Sequence, residues 1–162
     1  MKRRMMVLVL VVAMLASMVF VPVSASAASK IKILQVTVDG ARIRLGPSTA
    51  YGVITSLKKG SKVFYLKKMK DSFAYVCSSS GVKGYMYKGY LKSYGTVYSN
   101  QIYRTTKKGY LYKKASSGSS RVTRLSKNQH LIVYQVSGNW AYVKTLGGKG
   151  GYVKKSILTK AT

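Results

Sequence analysis

The sequence contains the same segment twice, and this internal repeat limits the possible folds more than any other feature. Residues 41–91 align with residues 109–158 across a single one-residue gap. The best-matched part pairs Phe73–Val76 with Trp140–Val143. Because a self-similar sequence indicates one structural unit used repeatedly, we expect two copies of one small module.

Each copy has short β-branched or aromatic runs separated by turn residues, which is typical of β-strands. In the second copy the alternation over residues 140–143 puts Ala141 and Val143 on one face of a strand and the aromatic rings on the other. A unit of roughly 60 residues with five or six short strands suits a partly open barrel. The predicted fold class is all-β, with two small partly open β-barrels in tandem. The predicted strands are residues 36–38, 43–44, 53–57, 62–66 and 73–77 in the first copy, and near 101–106, then 122–125, 131–136 and 140–145 in the second.

The N-terminus has the layout of a secretion signal. Three cations at residues 2–4 precede an apolar run over residues 5–16, and an Ala-x-Ala cleavage site follows at residues 25–27. An uncleaved membrane anchor is the alternative, because roughly 18 apolar residues can just span a bilayer. The predicted segments are a signal peptide helix at 1–28, the first copy at 30–92, a connector at 93–100 and the second copy at 101–160.

The charge balance is one-sided. The chain has 29 Lys and Arg residues against 2 Asp and Glu, for a formal net charge of +27. A solvated protein surface normally mixes charges of both signs. An almost purely cationic chain repels itself, so we expect an anionic surface or polymer as its partner.

The residue types needed for catalysis are scarce. Asp39 and Asp71 fall in predicted turns, which leaves no carboxylate pair for glycoside hydrolysis. Cys77 and His130 belong to different copies, so we interpret them as ordinary strand residues rather than as a nucleophile and its base. The glycine-rich stretch 147–151 lacks the spacing of a phosphate loop and predicts a hairpin turn. We expect no enzyme activity, no metal site and no cofactor.

These motifs, in this order, resemble the bacterial SH3 family, small β-barrels found mostly on exported and cell-wall proteins. The first copy has the hydrophobic-Arg strand followed by Gly-Pro-Ser at Ile43–Thr49, and a Gly-aromatic step at Gly84–Met86. The second copy departs from the pattern with Lys-Lys-Ala-Ser at residues 113–116, and the first has Phe73 where the family prefers Trp. The resemblance implies SH3-like barrels that attach to peptidoglycan or associated wall polymers.

Aromatic and basic side chains make up the candidate ligand surface. Aromatic rings stack on sugars or bases while Lys adds charge beside them, although strand packing is the alternative for each ring. Seven further tyrosines crowd the join between the copies, where a groove could form: Tyr87, Tyr90, Tyr94, Tyr98, Tyr103, Tyr110 and Tyr112. The candidate ligand-binding residues are Phe73, Tyr75, Tyr85, Trp140, Tyr142, Tyr152, Lys58, Lys59, Lys113 and Lys114.

Three functions stay open at this point. The leading one is a secreted or wall-associated, non-catalytic protein of a Gram-positive bacterium that binds peptidoglycan or teichoic acid. A secreted protein that binds nucleic acid or other polyanions is the second, because counterion release alone gives salt-dependent affinity. The third is a module that uses its sheet surface for protein contacts.

Overall fold

The computed structural model describes residues 28–67 and 72–161. Within these ranges the regular structure consists of β-strands and three short 3-10 helices, and no helix there has the length and apolar character needed to cross a bilayer. The predicted signal peptide lies, but for its last residue, outside the described residues. So does most of the turn that contains Asp71.

Module 1 is one antiparallel sheet of seven strands that curls into a small barrel. Its sheet order is β3-β2-β6-β5-β4-β1-β7, and the short 3-10 helix Lys88–Tyr90 leads into the last strand. The strands are β1 (Lys30–Val36), β2 (Ala41–Arg44), β3 (Val53–Leu57), β4 (Lys62–Lys67), β5 (Phe73–Ser78), β6 (Lys83–Tyr87) and β7 (Leu91–Tyr98).

Module 2 repeats this topology strand for strand. Its sheet order is β10-β9-β13-β12-β11-β8-β14, and the 3-10 helix Lys155–Ile157 again precedes the last strand. The strands are β8 (Ile102–Thr105), β9 (Gly109–Tyr112), β10 (Arg121–Leu125), β11 (His130–Ser137), β12 (Trp140–Thr145), β13 (Gly150–Lys154) and β14 (Leu158–Lys160). The all-β prediction of two tandem SH3-like barrels is confirmed.

Each module has seven strands rather than the five or six expected, because its last strand returns to pair with its first. Residues 93–98, which the sequence assigns to a connector, belong to β7. This strand runs antiparallel to β1 from Val36↔Leu91 to Lys30↔Tyr98. The segment is rich in Ser, Gly and Tyr, so its composition resembles that of a loop. The short 3-10 helix Ser99–Gln101 then joins the modules.

Each barrel has its own apolar core. The predicted alternation in β12 is confirmed, since Ala141 and Val143 are fully buried. Burying one large apolar side chain contributes roughly 1.5–3 kcal/mol, so cores of this size suit small independent barrels. The core of module 1 contains Val36, Ala41, Ile43, Val63, Ala74, Val76 and Met86, and the core of module 2 contains Leu111, Leu125, Leu131, Val133, Ala141, Val143, Val153 and Ile157.

A third apolar cluster joins the two barrels. The backbone N–H of His130 donates a hydrogen bond to the Ser79 carbonyl at 2.9 Å, and the His130 ring meets Phe64 edge-on at 6.0 Å. Burial across this boundary fixes how the modules sit against each other. The cluster contains Ile33, Phe64, Cys77 and Val97 from module 1, with Ile102, Ile132 and Leu146 from module 2.

The Gly-Tyr step found in both copies has a steric cause. A Cβ on Gly84 would lie 2.6 Å from the Arg44 carbonyl oxygen, and one on Gly151 would lie 2.5 Å from the Tyr112 carbonyl oxygen. Only glycine lets β2 and β9 pass this close to β6 and β13. Because side chains alternate along a strand, the tyrosine after each buried glycine lies on the outer face of its barrel, where it is partly exposed.

Candidate functional site

Module 1 has an open groove between β2, the loop that follows it, and the ends of β5 and β6. We call this the module 1 groove, and its volume is about 410 Å³. Arg42 and Arg44 reach it because alternation along β2 buries Ala41 and Ile43 on the opposite face. The groove is lined by Gly40, Arg42, Arg44, Thr49, Phe73, Tyr87 and Tyr90.

The aromatic wall of the module 1 groove is a chain of edge-on ring contacts. The Phe73 and Tyr87 centroids lie 5.9 Å apart, and those of Tyr87 and Tyr90 lie 5.1 Å apart. Phe73 is only 8% exposed, so it supports the wall from beneath, whereas Tyr87 and Tyr90 face solvent. Across the groove the Arg44 guanidinium donates to the Tyr51 carbonyl at 2.8 Å, which holds the loop after β2 in place.

Module 2 has a groove at the same place in its fold. We call it the module 2 groove, and its volume is about 830 Å³. Ser117, Trp140 and Lys154 occupy the positions that Thr49, Phe73 and Tyr87 occupy in module 1. The groove is lined by Ala115, Ser116, Ser117, Asn139, Trp140, Lys154, Lys155 and Ser156.

Trp140 is the central ring of module 2. It is half-buried, and its ring meets Tyr112 edge-on at 5.6 Å. Tyr112 in turn contacts Tyr110 at 6.4 Å, and the Arg121 guanidinium lies 4.0 Å from the Tyr110 centroid. The aromatic rings of module 2 therefore continue from the groove along β9 to a cation on β10.

The remaining aromatic candidates form matching cross-strand pairs. Tyr75 lies 5.0 Å from Tyr85 in module 1, and Tyr142 lies 5.3 Å from Tyr152 in module 2. In module 2 the pair joins Trp140 in lining a second, smaller hollow of about 290 Å³. The structure therefore brings three of the predicted site residues together in module 2.

The four candidate lysines are less closely associated with the grooves. Lys58 and Lys59 are exposed in the turn between β3 and β4, where the Lys59 N–H donates to the Asp39 carboxylate at 3.0 Å. Lys113 and Lys114 are exposed in the loop after β9, directly before the residues that line the module 2 groove. Sequence reasoning missed Arg42 and Lys154. The alternation of Ala41 with Arg42 was a signal that could have found the first.

Cys77 is buried in the cluster between the modules, and His130 lines a separate hollow of about 310 Å³ with Lys83 and Arg104. Burial raises the pKa of the Cys77 thiol, with partial opposition from Lys83, whereas a nucleophilic cysteine needs a lowered pKa. Within the described part of the chain His130 Nδ1 is buried without a hydrogen-bond partner. Among residues 28–67 and 72–161 no three His, Cys, Asp or Glu side chains come together as metal ligands would.

The structure has two copies of one barrel, and each copy has a Gly-aromatic step with a groove beside it. A comparison with known protein families also finds one domain twice. The sequence pattern of the bacterial SH3 domain matches residues 39–92 and 107–159. The chain belongs to the bacterial SH3 domain family. Bacterial SH3 domains commonly bind cell-wall components, and the domain alone is non-catalytic. No curated protein sequence matches the chain.

Several solved structures are similar to this bacterial SH3 protein at low sequence identity. NlpC2 and NlpC1 of Trichomonas vaginalis are 13% and 15% identical, and the chain covers 48% of each. An NlpC/P60 family protein of Bacillus cereus is 15% identical and is covered to 56%. The matches cover 81%, 85% and 81% of this chain, each with a TM-score of 0.35. The chain thus spans about half the length of these proteins.

Proposed function

We propose that the protein is a secreted, non-catalytic binding protein that attaches to cell-wall glycopolymer, either peptidoglycan or teichoic acid. The proposal rests on one observation above all. Both modules carry a groove at the same place, and each groove combines aromatic rings with cations. No Asp or Glu lines either groove in the described part of the chain.

This combination suits a sugar polymer that carries negative charge. The exposed faces of Tyr87 and Trp140 offer apolar surface on which sugar rings pack. Arg42 in the module 1 groove and Lys154 in the module 2 groove offer hydrogen-bond donors to carboxylate or phosphate groups. Two grooves on one chain also raise the overall affinity for a repeating polymer, because the second contact forms intramolecularly.

Pelleting with purified cell walls over a series of salt concentrations tests the proposal. The double variant Tyr87→Ala/Trp140→Ala should lose at least about thirtyfold in wall affinity, since stacking on each of the two rings contributes about 1–3 kcal/mol. Tyr98→Ala is the matched control, because Tyr98 is 47% exposed and lies outside both grooves. Thermal unfolding of each variant confirms that the barrels remain folded.

Binding to nucleic acid or other polyanions through charge alone is the competing outcome. In that case duplex DNA and wall polymer of matched charge would bind equally well, and both would lose affinity with salt to the same degree. A Tyr87→Ala/Trp140→Ala variant that pellets with walls as wild type does would overturn the proposed function.

A further inference from the structure

A third groove lies between the two barrels, beside the apolar cluster that joins them. We call it the inter-module groove, and its volume is about 370 Å³. Its floor includes Ile33 from β1 and Ile132 from β11, both part of the shared cluster. Since its lining comes from both modules, the groove exists only when both barrels are present.

Each side of the inter-module groove carries one Lys-Tyr pair. On module 1 the Lys62 ammonium lies 3.8 Å from the Tyr94 ring centroid. On module 2 the Lys144 ammonium lies 5.4 Å from the Tyr134 ring centroid. Tyr94 and Tyr134 are 55% and 53% exposed, which is high for side chains of this size that line a groove.

The two lysines act on the same space. A hydrogen bond with Lys62, together with the charges of Lys62 and Lys144, lowers the pKa of the Tyr94 hydroxyl. Lys62 and Lys144 line the groove from opposite modules. No Asp or Glu lines this groove among the described residues, so two ammonium groups converge there without a compensating carboxylate.

We propose that the inter-module groove binds a segment of a phosphodiester-linked glycopolymer, with its phosphate at Lys62 and Lys144 and its sugar against Tyr94 and Tyr134. Lysine ammonium groups are compact point charges that bind phosphate well. A glycosylated polymer with phosphate in its main chain places charge in the strand itself and a sugar directly beside it, so a short segment reaches both walls of the groove. Peptidoglycan carries its carboxylates on peptide branches instead. This inference rests on the proposed function and names the polymer class that one site takes.

The test compares two double variants of equal charge. Lys62→Gln/Lys144→Gln removes the cations of the groove, whereas Lys30→Gln/Lys107→Gln removes two cations outside it. Lys30 is a close match because it also lies over an exposed tyrosine, Tyr98, at 6.0 Å. Calorimetric titration at one fixed salt concentration measures binding to glycosylated poly(glycerol phosphate) and to peptidoglycan freed of phosphate polymer.

The groove variant should bind the glycosylated phosphate polymer at least about tenfold more weakly, since hydrogen bonds to charged groups contribute about 1.5–3 kcal/mol each. The matched control should lose less than about threefold, as expected for exposed charges. Binding to phosphate-free peptidoglycan should be the same for both variants. Equal losses in both variants, or a larger loss on peptidoglycan, would overturn the inference.

A second variant tests the sugar contacts and separates this inference from the proposed function. Tyr94→Ala/Tyr134→Ala should weaken binding to the glycosylated polymer more than to the same polymer without sugar. If neither groove variant differs from the control while Tyr87→Ala/Trp140→Ala still loses wall binding, the inter-module site is wrong and the proposed function stands. If none of these variants changes binding, both are wrong.

Discussion

The module 1 groove and the module 2 groove lie at the same place in the same fold, but the strands around them carry cations and aromatic rings at exchanged positions. In module 1 the cations lie on β2 and a tyrosine ends β6. In module 2 the tyrosines lie on β9 and a lysine ends β13. The exchanged positions are Arg42 with Tyr110, Arg44 with Tyr112 and Tyr87 with Lys154. The backbone therefore fixes where a groove forms. Arg42 and Arg44 line the module 1 groove directly, whereas Tyr112 reaches the module 2 groove only through its contact with Trp140.

The exchange also changes what the central ring does. Phe73 is covered by Tyr87 and is buried, whereas Trp140 has a lysine at the equivalent position and stays half-exposed. One ring therefore contributes chiefly to the stability of its barrel, and the other is open to a ligand. The two modules share a scaffold but not a binding surface.

The largest expected effect is a difference in stability between variants of Phe73 and of Trp140. Phe73→Ala should lower the free energy of unfolding by about 3–4 kcal/mol, because it leaves a cavity under Tyr87. Trp140→Ala should lower it by less, yet it should weaken wall binding more. Urea unfolding followed by circular dichroism, together with wall pelleting, measures both quantities. Equal losses of stability in the two variants would mean that the burial of the rings does not distinguish the modules.

A somewhat smaller effect should be the same in both modules. Gly84→Ala and Gly151→Ala each place a Cβ against the backbone of the crossing strand, so each should cost about 2–3 kcal/mol. Gly95→Ala is the control, since a Cβ there meets no atom within 4 Å. Urea unfolding should give equal losses for the first two variants and almost none for the control. If Gly151→Ala left the free energy of unfolding unchanged, the two barrels would not be structurally equivalent at this strand crossing.

The smallest effect concerns the position at which module 1 has Lys62 and module 2 has His130. Burial, together with the positive charges of Lys83 and Arg104, lowers the pKa of His130 below its usual 6.5. The unfolded chain then binds a proton that the folded chain excludes. The free energy of unfolding should therefore be unaffected by His130 above pH 6.5, decrease as the pH falls below 6.5, and level off below the folded-state pKa.

Urea unfolding at several pH values between about 5 and 8 measures this dependence. His130→Gln should remove it, because the amide does not titrate. Lys62→Gln should retain it, since His130 is unchanged in that variant. A decrease of the same size in His130→Gln would assign the effect to another group.

The pattern of neighbouring residues was enough to predict most strands and the type of barrel. Residues 53–57 and 140–145 were predicted with the bounds that the structure shows for β3 and β12. Alternation is visible in such short segments because adjacent side chains point to opposite faces. The candidate site was predicted only in part. The candidates Trp140, Tyr142 and Tyr152 do lie together. Arg42 was missed although the alternation along β2 pointed to it, and Lys154 became visible only when the folded module 2 groove brought it beside Trp140.

By itself the sequence determined the repeat, the order of the strands, the cationic excess and the glycines that let two strands cross. The tertiary structure decided which outward-facing side chains stay exposed. Phe73 and Cys77 alternate with the buried Ala74 and Val76, yet both are buried as well, one under Tyr87 and the other in the cluster between modules. Whether such a side chain is covered depends on residues that are distant in the sequence, because folding brings these residues into contact with it. The inter-module groove depends on the same packing.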